Sequence, residues 1–200
     1  FAEGIPYFIV NNISVVMFKN MGMPNGLLAL YTSMLYLPWV IKPLWSPFVD
    51  IIRTKRWWVM AMQVIMSVAF ALLAFSLPHP SAELIAQGNT QVSLFAVTLV
   101  LFWICAFASA THDIAADGFY MLALEPGEQS LSSIFGQGVL VVIAGLLERS
   151  TGDIPKAWSL TLLVSSVIFA AVTLWHVFGL PKPAQDVQRS NTTAKDIFRE

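Results

Sequence analysis

Six apolar runs, separated by short polar or Pro/Gly-rich breaks, divide the chain. They cover Phe1 to about Phe18, Leu27 to about Val49, Trp57–Leu77, Val92–Ala110, Leu131–Leu147 and Ala157–Leu180. The breaks fall at Asn20–Asn25, Pro78–Gln91, Glu125–Ser130 and Glu148–Lys156, where turn-forming residues collect. A bilayer core of about 30 Å takes about 20 helical residues. Each run therefore predicts a membrane helix, the fifth at the short limit. The fourth continues past Ala110 with polar residues. The first opens at Phe1 with no basic stretch or small-residue cleavage site before it. The chain is thus expected to start inside a helix, as a fragment of something longer. Residues 181–200 read as a polar linker, whose end, SNTTAKDIFRE, predicts a further helix start capped by Ser190 or Asn191.

One stretch breaks the apolar pattern from within. Tyr36–Trp58, YLPWVIKPLWSPFVDIIRTKRWW, carries Pro38, Pro43, Pro47 and Lys42 inside its apolar run. It ends on Asp50 and the basic turn of Arg53, Lys55 and Arg56. Each proline removes a backbone hydrogen bond and kinks a helix. In lipid such defects survive only where neighbouring helices or a wet cavity satisfy the freed backbone. The stretch predicts a working helix of a transporter rather than an anchor.

Composition agrees with a membrane protein. The 200 residues are 56% hydrophobic and only 12% charged, against about 25% charged in a soluble domain. The net charge of −1 excludes a nucleic-acid footprint. The lone Cys105 builds no disulfide framework and no cysteine metal site. No two histidines have metal-ligand spacing. No Gly-rich phosphate loop, G-x-S-x-G or H-E-x-x-H occurs. No cofactor or metal is expected. Lysine and arginine then set the orientation. With the second-to-third connection cytoplasmic, that side holds Arg53, Lys55, Arg56, Lys182, Arg189, Lys195 and Arg199, and the other only Lys19, Arg149 and Lys156. This predicts an even number of spans with both ends inside.

Ionisable groups within spans are costly and mark function. Here they are Glu3, Lys42, Asp113 and Asp117, with His112 beside them. At 1.5 Å per residue along straight helices, Glu3 and Lys42 share a layer about 22–24 Å below the outer face, and Asp113 lies about 31 Å below it. Asp113 and Asp117, at i and i+4, share a helix face. Neighbouring carboxylates raise each other's proton affinity, so the pair suits coupling or gating; a solvated helix end is the bland alternative. Lys42 can instead hold one carboxylate ionised. His112 reads as a proton relay or a hydrogen-bonded packing residue, and His79 and His176 as bland. Asn11 and Asn12 sit mid-span, where they can bind a polar solute or knit helices together. Ser132, Gly136, Gly138 and Gly145 of the fifth run read as packing positions.

The Asp50 to Arg56 turn resembles the loop between helices two and three of the major facilitator superfamily, with Ser46 in place of the usual first glycine. FAEGIPY at Phe1–Tyr7, LPWVIKPLWSPFVD at Leu37–Asp50 and THDIAADGFYMLAL at Thr111–Leu124 resemble its muropeptide permease (AmpG-like) branch, grouped with the acetyl-coenzyme A transporters. GQGVLVVIAG at Gly136–Gly145 extends the likeness more weakly. The family has a longer basic stretch leading into helix five, absent at Glu125–Ser130.

The resemblance implies an all-α integral membrane fold of twelve helices in two halves. Residues 1–180 would form the six-helix N-terminal bundle, and 181–200 a cytoplasmic linker toward a missing C-terminal half. It implies a proton-coupled transporter of the inner (cytoplasmic) membrane, importing a small amphiphilic solute such as a muropeptide-like sugar-peptide. Cavity residues would be Glu3, Asn11, Asn12, Lys42, His112, Asp113 and Asp117, and Asp50, Arg53, Lys55 and Arg56 a cytoplasmic gate. The rival readings are a membrane enzyme with His112, Asp113 and a nucleophile such as Ser109, and a six-helix scaffold or sensor.

Overall fold

The structure, a computed structural model, describes residues 4–123 and 139–187. Glu3, the helix start expected at Ser190 or Asn191, and Arg189, Lys195 and Arg199 lie outside the described residues. So do residues 131–138 of the fifth run, with Ser132, Gly136 and Gly138, and the Glu125–Ser130 break.

Among the described residues every regular element is helical. The first run forms α1 (Gly4–Phe8), a π-helical turn over Ile9–Ile13, and α2 (Ser14–Asn20). The proline-rich run is broken into α3 (Asn25–Leu35), α4 (Leu37–Ile41), a 3₁₀ turn at Lys42–Leu44 and α5 (Ser46–Ile52). Then come α6 (Lys55–Ser76), a short α7 (Ala82–Gln87), α8 (Ala96–Ala123), α9 (Leu140–Thr151) and α10 (Ile154–Gly179). Among the described residues four stretches are long and apolar enough to cross a membrane: Asn25–Leu44, Lys55–Ser76, Val92–Phe119 and Ile154–Gly179. The chain has the make-up of an integral membrane protein. Its outer surface fits that make-up, with Phe75 80%, Phe178 86% and Trp175 73% exposed; water would not tolerate such a shell, whereas lipid does.

The three prolines have a common explanation. Pro38, Pro43 and Pro47 each stand in the first turn of a new helical segment. There the missing N–H has no intrahelical acceptor to lose, and the fixed φ suits the start. The expected bent helix is a series of restarts, and Lys42 opens the 3₁₀ turn at the junction. Elsewhere the sequence reading errs at boundaries. The Pro78–Gln91 break contains α7, capped by Ser81 and closed by Gly88 at φ +61°. α9 runs a turn beyond Leu147, through Glu148 and Arg149, and ends at left-handed Gly152.

α8 is the central helix: α6 packs along it, and α1, α3, α4 and α5 touch it. α10 lies against α6 and α9 against α10. Rings of Phe18, Phe95 and Phe102 meet edge to face within the buried core. The Ser166 hydroxyl donates to the Ser67 carbonyl at 2.8 Å, joining α10 to α6.

Two contacts show which connections share an end of the bundle. At one end Gly22 (φ +79°) accepts a hydrogen bond from Thr90 N at 2.9 Å, and the Thr90 hydroxyl donates to Met21 O at 2.8 Å. At the other, the Asp186 carboxylate beyond α10 accepts from Lys55 N at 2.7 Å and Arg56 N at 3.0 Å. It thereby caps α6 from a distant part of the chain, placing negative charge where helix N–H groups lack partners. The pairing of ends matches the sidedness read from lysine and arginine.

A methyl group on Gly22 would fall 2.7 Å from both Ile85 Cα and Thr90 Oγ1, in a backbone conformation that alanine resists. Gly22→Ala should cost about 1–3 kcal/mol and lower the thermal unfolding midpoint of the complete protein in detergent. Gly26→Ala, with open space around its Cβ, should not. Asp186→Ala should remove about 1 kcal/mol of capping, seen as faster amide hydrogen exchange at Lys55 and Arg56 with the midplane of α6 unchanged.

Candidate functional site

Three successive residues of α8, Thr111, His112 and Asp113, join it to three other segments. Neighbours on a helix project about 100° apart, so a tripeptide faces three directions. Thr111 Oγ1 accepts from Trp45 Nε1 at 3.2 Å, at the junction before α5. His112 Nε2 lies 3.1 Å from Gln63 Nε2 of α6. Asp113 Oδ2 accepts from Lys42 Nζ at 2.6 Å.

The Lys42–Asp113 ion pair joins the break in the second run to the middle of the molecule. Its side chains are 33% and 26% exposed, so it is sheltered but reachable by solvent. The straight-helix ruler separated these residues by about 9 Å of depth; the structure puts them in contact. The long lysine side chain and the aspartate side chain span the difference. Next to the pair lies an aromatic cluster. Trp39 meets Tyr7 edge to face at 5.2 Å and stacks on Tyr36 at 6.2 Å. Tyr7 is within electrostatic reach of Asp113.

Asp117 is exposed one turn further along α8. The next residue, Gly118, leaves room for Lys55: a Cβ there would fall 2.6 Å from Lys55 Nζ. Asp117 therefore lies at the level of the basic turn. Within that turn Lys55 pairs with Asp50, and the Arg56 guanidinium donates to Val177 O of α10 at 2.9 Å. Arg53 is exposed, with its guanidinium 5.9 Å from the Trp57 ring centre. The expected gate residues thus tie α5, α6 and α10 together inside one bundle.

Asn11 and Asn12 behave differently from one another. Both sit in the π-helical turn, where Ser14 N reaches back to Ile9 O. Asn11 Nδ2 donates to Tyr7 O at 3.1 Å, within its own helical run, and Asn12 is exposed. Such turns widen a helix and recur at functional sites.

His112 is buried at 2% exposure and directed at Gln63, which is 0% exposed. Gln63 in turn lies 2.8 Å (Nε2) and 3.0 Å (Oε1) from His176 Nδ1 on α10. A polar bridge therefore crosses α8, α6 and α10. Sequence reading missed Gln63 and set His176 aside. The available signal was a lone amide inside the Trp57–Leu77 run, which must find a polar partner in an apolar setting. Asp186 and the Tyr7–Trp39–Tyr36 cluster were also missed. Among the described residues no group of three His, Cys, Asp or Glu side chains can hold a metal ion. A groove of about 680 Å³ between α5, α6 and α8 is lined by residues such as Trp45, Phe48, Trp58, Met62 and Trp103. Neither Lys42 nor Asp113 lines it, so it is distinct from the solute cavity expected around the charges.

No family model matches the chain, and no solved structure matches it. The chain is 27% identical over 190 residues to a Rickettsia felis protein named "Putative transporter AmpG 4", covering 88% of this chain and 42% of that one. It is 33% identical over 136 residues to an uncharacterized protein of Schizosaccharomyces pombe, covering 64% of this chain and 22% of that one. The chain spans less than half the length of these curated relatives. Among the described residues the chain is all-helical with four membrane-length helices, the make-up of a multi-pass membrane protein, and it is similar over most of its length to a protein named as a transporter.

Proposed function

We propose that this chain forms the N-terminal six-helix bundle of a proton-coupled secondary transporter of the major facilitator type. In this reading it works by alternating access in the inner membrane, with a C-terminal half beyond Glu200. Its cargo is a small amphiphilic solute, of which a muropeptide-like sugar-peptide is the leading example. The observation that carries the proposal is the Lys42–Asp113 pair, 2.6 Å across two membrane-length stretches. An anchor or scaffold has no use for a half-sheltered ion pair set at a helix break.

The chemistry follows from the pair. A proton on Asp113 removes its negative charge and weakens its hold on Lys42. The segment restarted at Pro43 and Pro47 can then move against α8. Asp117, one turn nearer the basic turn, supplies a second carboxylate along the same face. The aromatic cluster of Tyr7, Trp39 and Tyr36 offers flat apolar faces and hydroxyls to an amphiphilic solute, with Asn12 exposed on the same helical run as Tyr7. The enzyme reading is weaker, because one of the two His112 ring nitrogens, Nε2, is directed at Gln63. The substrate is tested by uptake of labelled anhydro-muropeptide into proteoliposomes holding the complete protein, with and without an imposed proton gradient. Uptake that ignores the gradient removes the coupling, and no uptake removes this cargo.

Asp113→Asn or Asp117→Asn should abolish proton-driven uptake and leave counterflow exchange intact. Unchanged pH dependence in both variants would exclude them from coupling. Lys42→Ala should impair transport or folding, and a second change at Asp113 should partly restore it. The double-mutant cycle for unfolding should give a coupling energy of about 1–3 kcal/mol; additive effects would mean the pair contributes nothing.

A further inference from the structure

We propose that Gln63, His112 and His176 form one proton-binding unit, in which a single proton is held jointly by two imidazoles through the amide between them. Its role in transport rests on the proton-coupled reading above; its existence rests on the geometry alone.

The three groups come from α6, α8 and α10, and they make a continuous hydrogen-bonded path: 3.1 Å from His112 Nε2 to Gln63, then 2.8 Å and 3.0 Å from Gln63 to His176 Nδ1. An amide has one acceptor oxygen and one donor nitrogen with two hydrogens. With Gln63 Nε2 toward His112, the ring nitrogen there must accept, so His112 is neutral. A proton arriving on that nitrogen sets donor against donor. Turning the amide by half a turn relieves this, because Oε1 then accepts from His112; His176 Nδ1 lies within reach of both amide atoms, 2.8 Å from Nε2 and 3.0 Å from Oε1, and so is met in either orientation. The orientation of one buried amide thus follows the proton on His112 Nε2. A second proton would put two imidazolium charges on the same amide within the bundle, which desolvation and like-charge repulsion oppose.

The surroundings supply an entry and a link to the ion pair. His176 is the partly exposed member, and His112 and Gln63 are buried. The groups acting on His112 include His176 on α10 and Asp113 on its own helix. Asp113 is in turn held by Lys42 of the broken run. From α6, the Arg56 guanidinium sits on the carbonyl of Val177, next to His176. Asp186 holds the same end of α6 through the Lys55 and Arg56 amides. A proton held on His112 rather than on His176 therefore places the charge beside Asp113 rather than at the basic end of α10.

The test is ¹⁵N NMR of histidine-labelled complete protein in nanodiscs across a pH series, beside the pH profile of uptake. In the native protein His112 and His176 should respond at one shared midpoint, each by part of a full protonation. In Gln63→Leu the shared step should split into two, separated by about one pH unit or more. Should that variant fail to fold, His176→Asn serves: the midpoint seen at His112 should move by about one pH unit or more. Separate native titrations, or no proton uptake at either ring, would overturn the unit. A shared native step with uptake indifferent to pH would keep the unit and remove the coupling reading. Separate titrations with pH-dependent uptake would do the reverse.

Discussion

A lysine ammonium set among membrane helices must find an opposite charge within reach, and the rest of the arrangement follows from that constraint. Lys42 finds Asp113 at 2.6 Å. To bring them together the second run cannot be one straight helix. It breaks at Tyr36 and again around Lys42–Leu44, and Pro38, Pro43 and Pro47 begin the pieces. Proline at a helix start loses nothing that the start would have had. The breaks free backbone groups that lipid cannot satisfy, and side chains help hold the broken run to α8, as the Trp45 hydrogen bond to Thr111 does.

The same constraint makes α8 the meeting point of the bundle. Thr111, His112 and Asp113 are consecutive, and helical rotation sends them to α5, α6 and the Lys42 turn respectively. This accounts for a polar tripeptide in the middle of a stretch that is otherwise apolar enough to span a membrane. It also explains how events at the ion pair can reach α10: His112 is bonded to Gln63, and Gln63 to His176. Polar side chains bonded inside an apolar bundle have few alternative partners, so such a bridge holds its members in register.

Much of this was legible in the chain. Apolar run lengths predicted the helices at Trp57–Leu77, Val92 onward and Ala157–Leu180 within a few residues. The alternation of apolar runs and breaks implied which connections share an end, and the Gly22–Thr90 and Asp186–Lys55 contacts pair those ends in the same way. The charges in spans singled out Lys42 and Asp113. Their contact was not legible, because a residue count gives depth along one helix and not which faces of two helices meet. Gln63 escaped notice because one amide in an apolar run looks like any tolerated polar residue until its partners are known.

The sequence by itself determined what has to be inside a membrane and what has to be explained there: helices from the length of apolar runs, a broken second helix from its prolines, and a small set of charges too costly to be incidental. Those are local properties, set by the solvent each residue can tolerate. Only the tertiary structure decided the pairings. Lys42 and Asp113 are 71 residues apart and Gln63 and His176 are 113 apart. Partners that distant are chosen by how whole helices pack and rotate, and a difference of one residue in rotation, about 100°, would have assigned each of these side chains to a different neighbour.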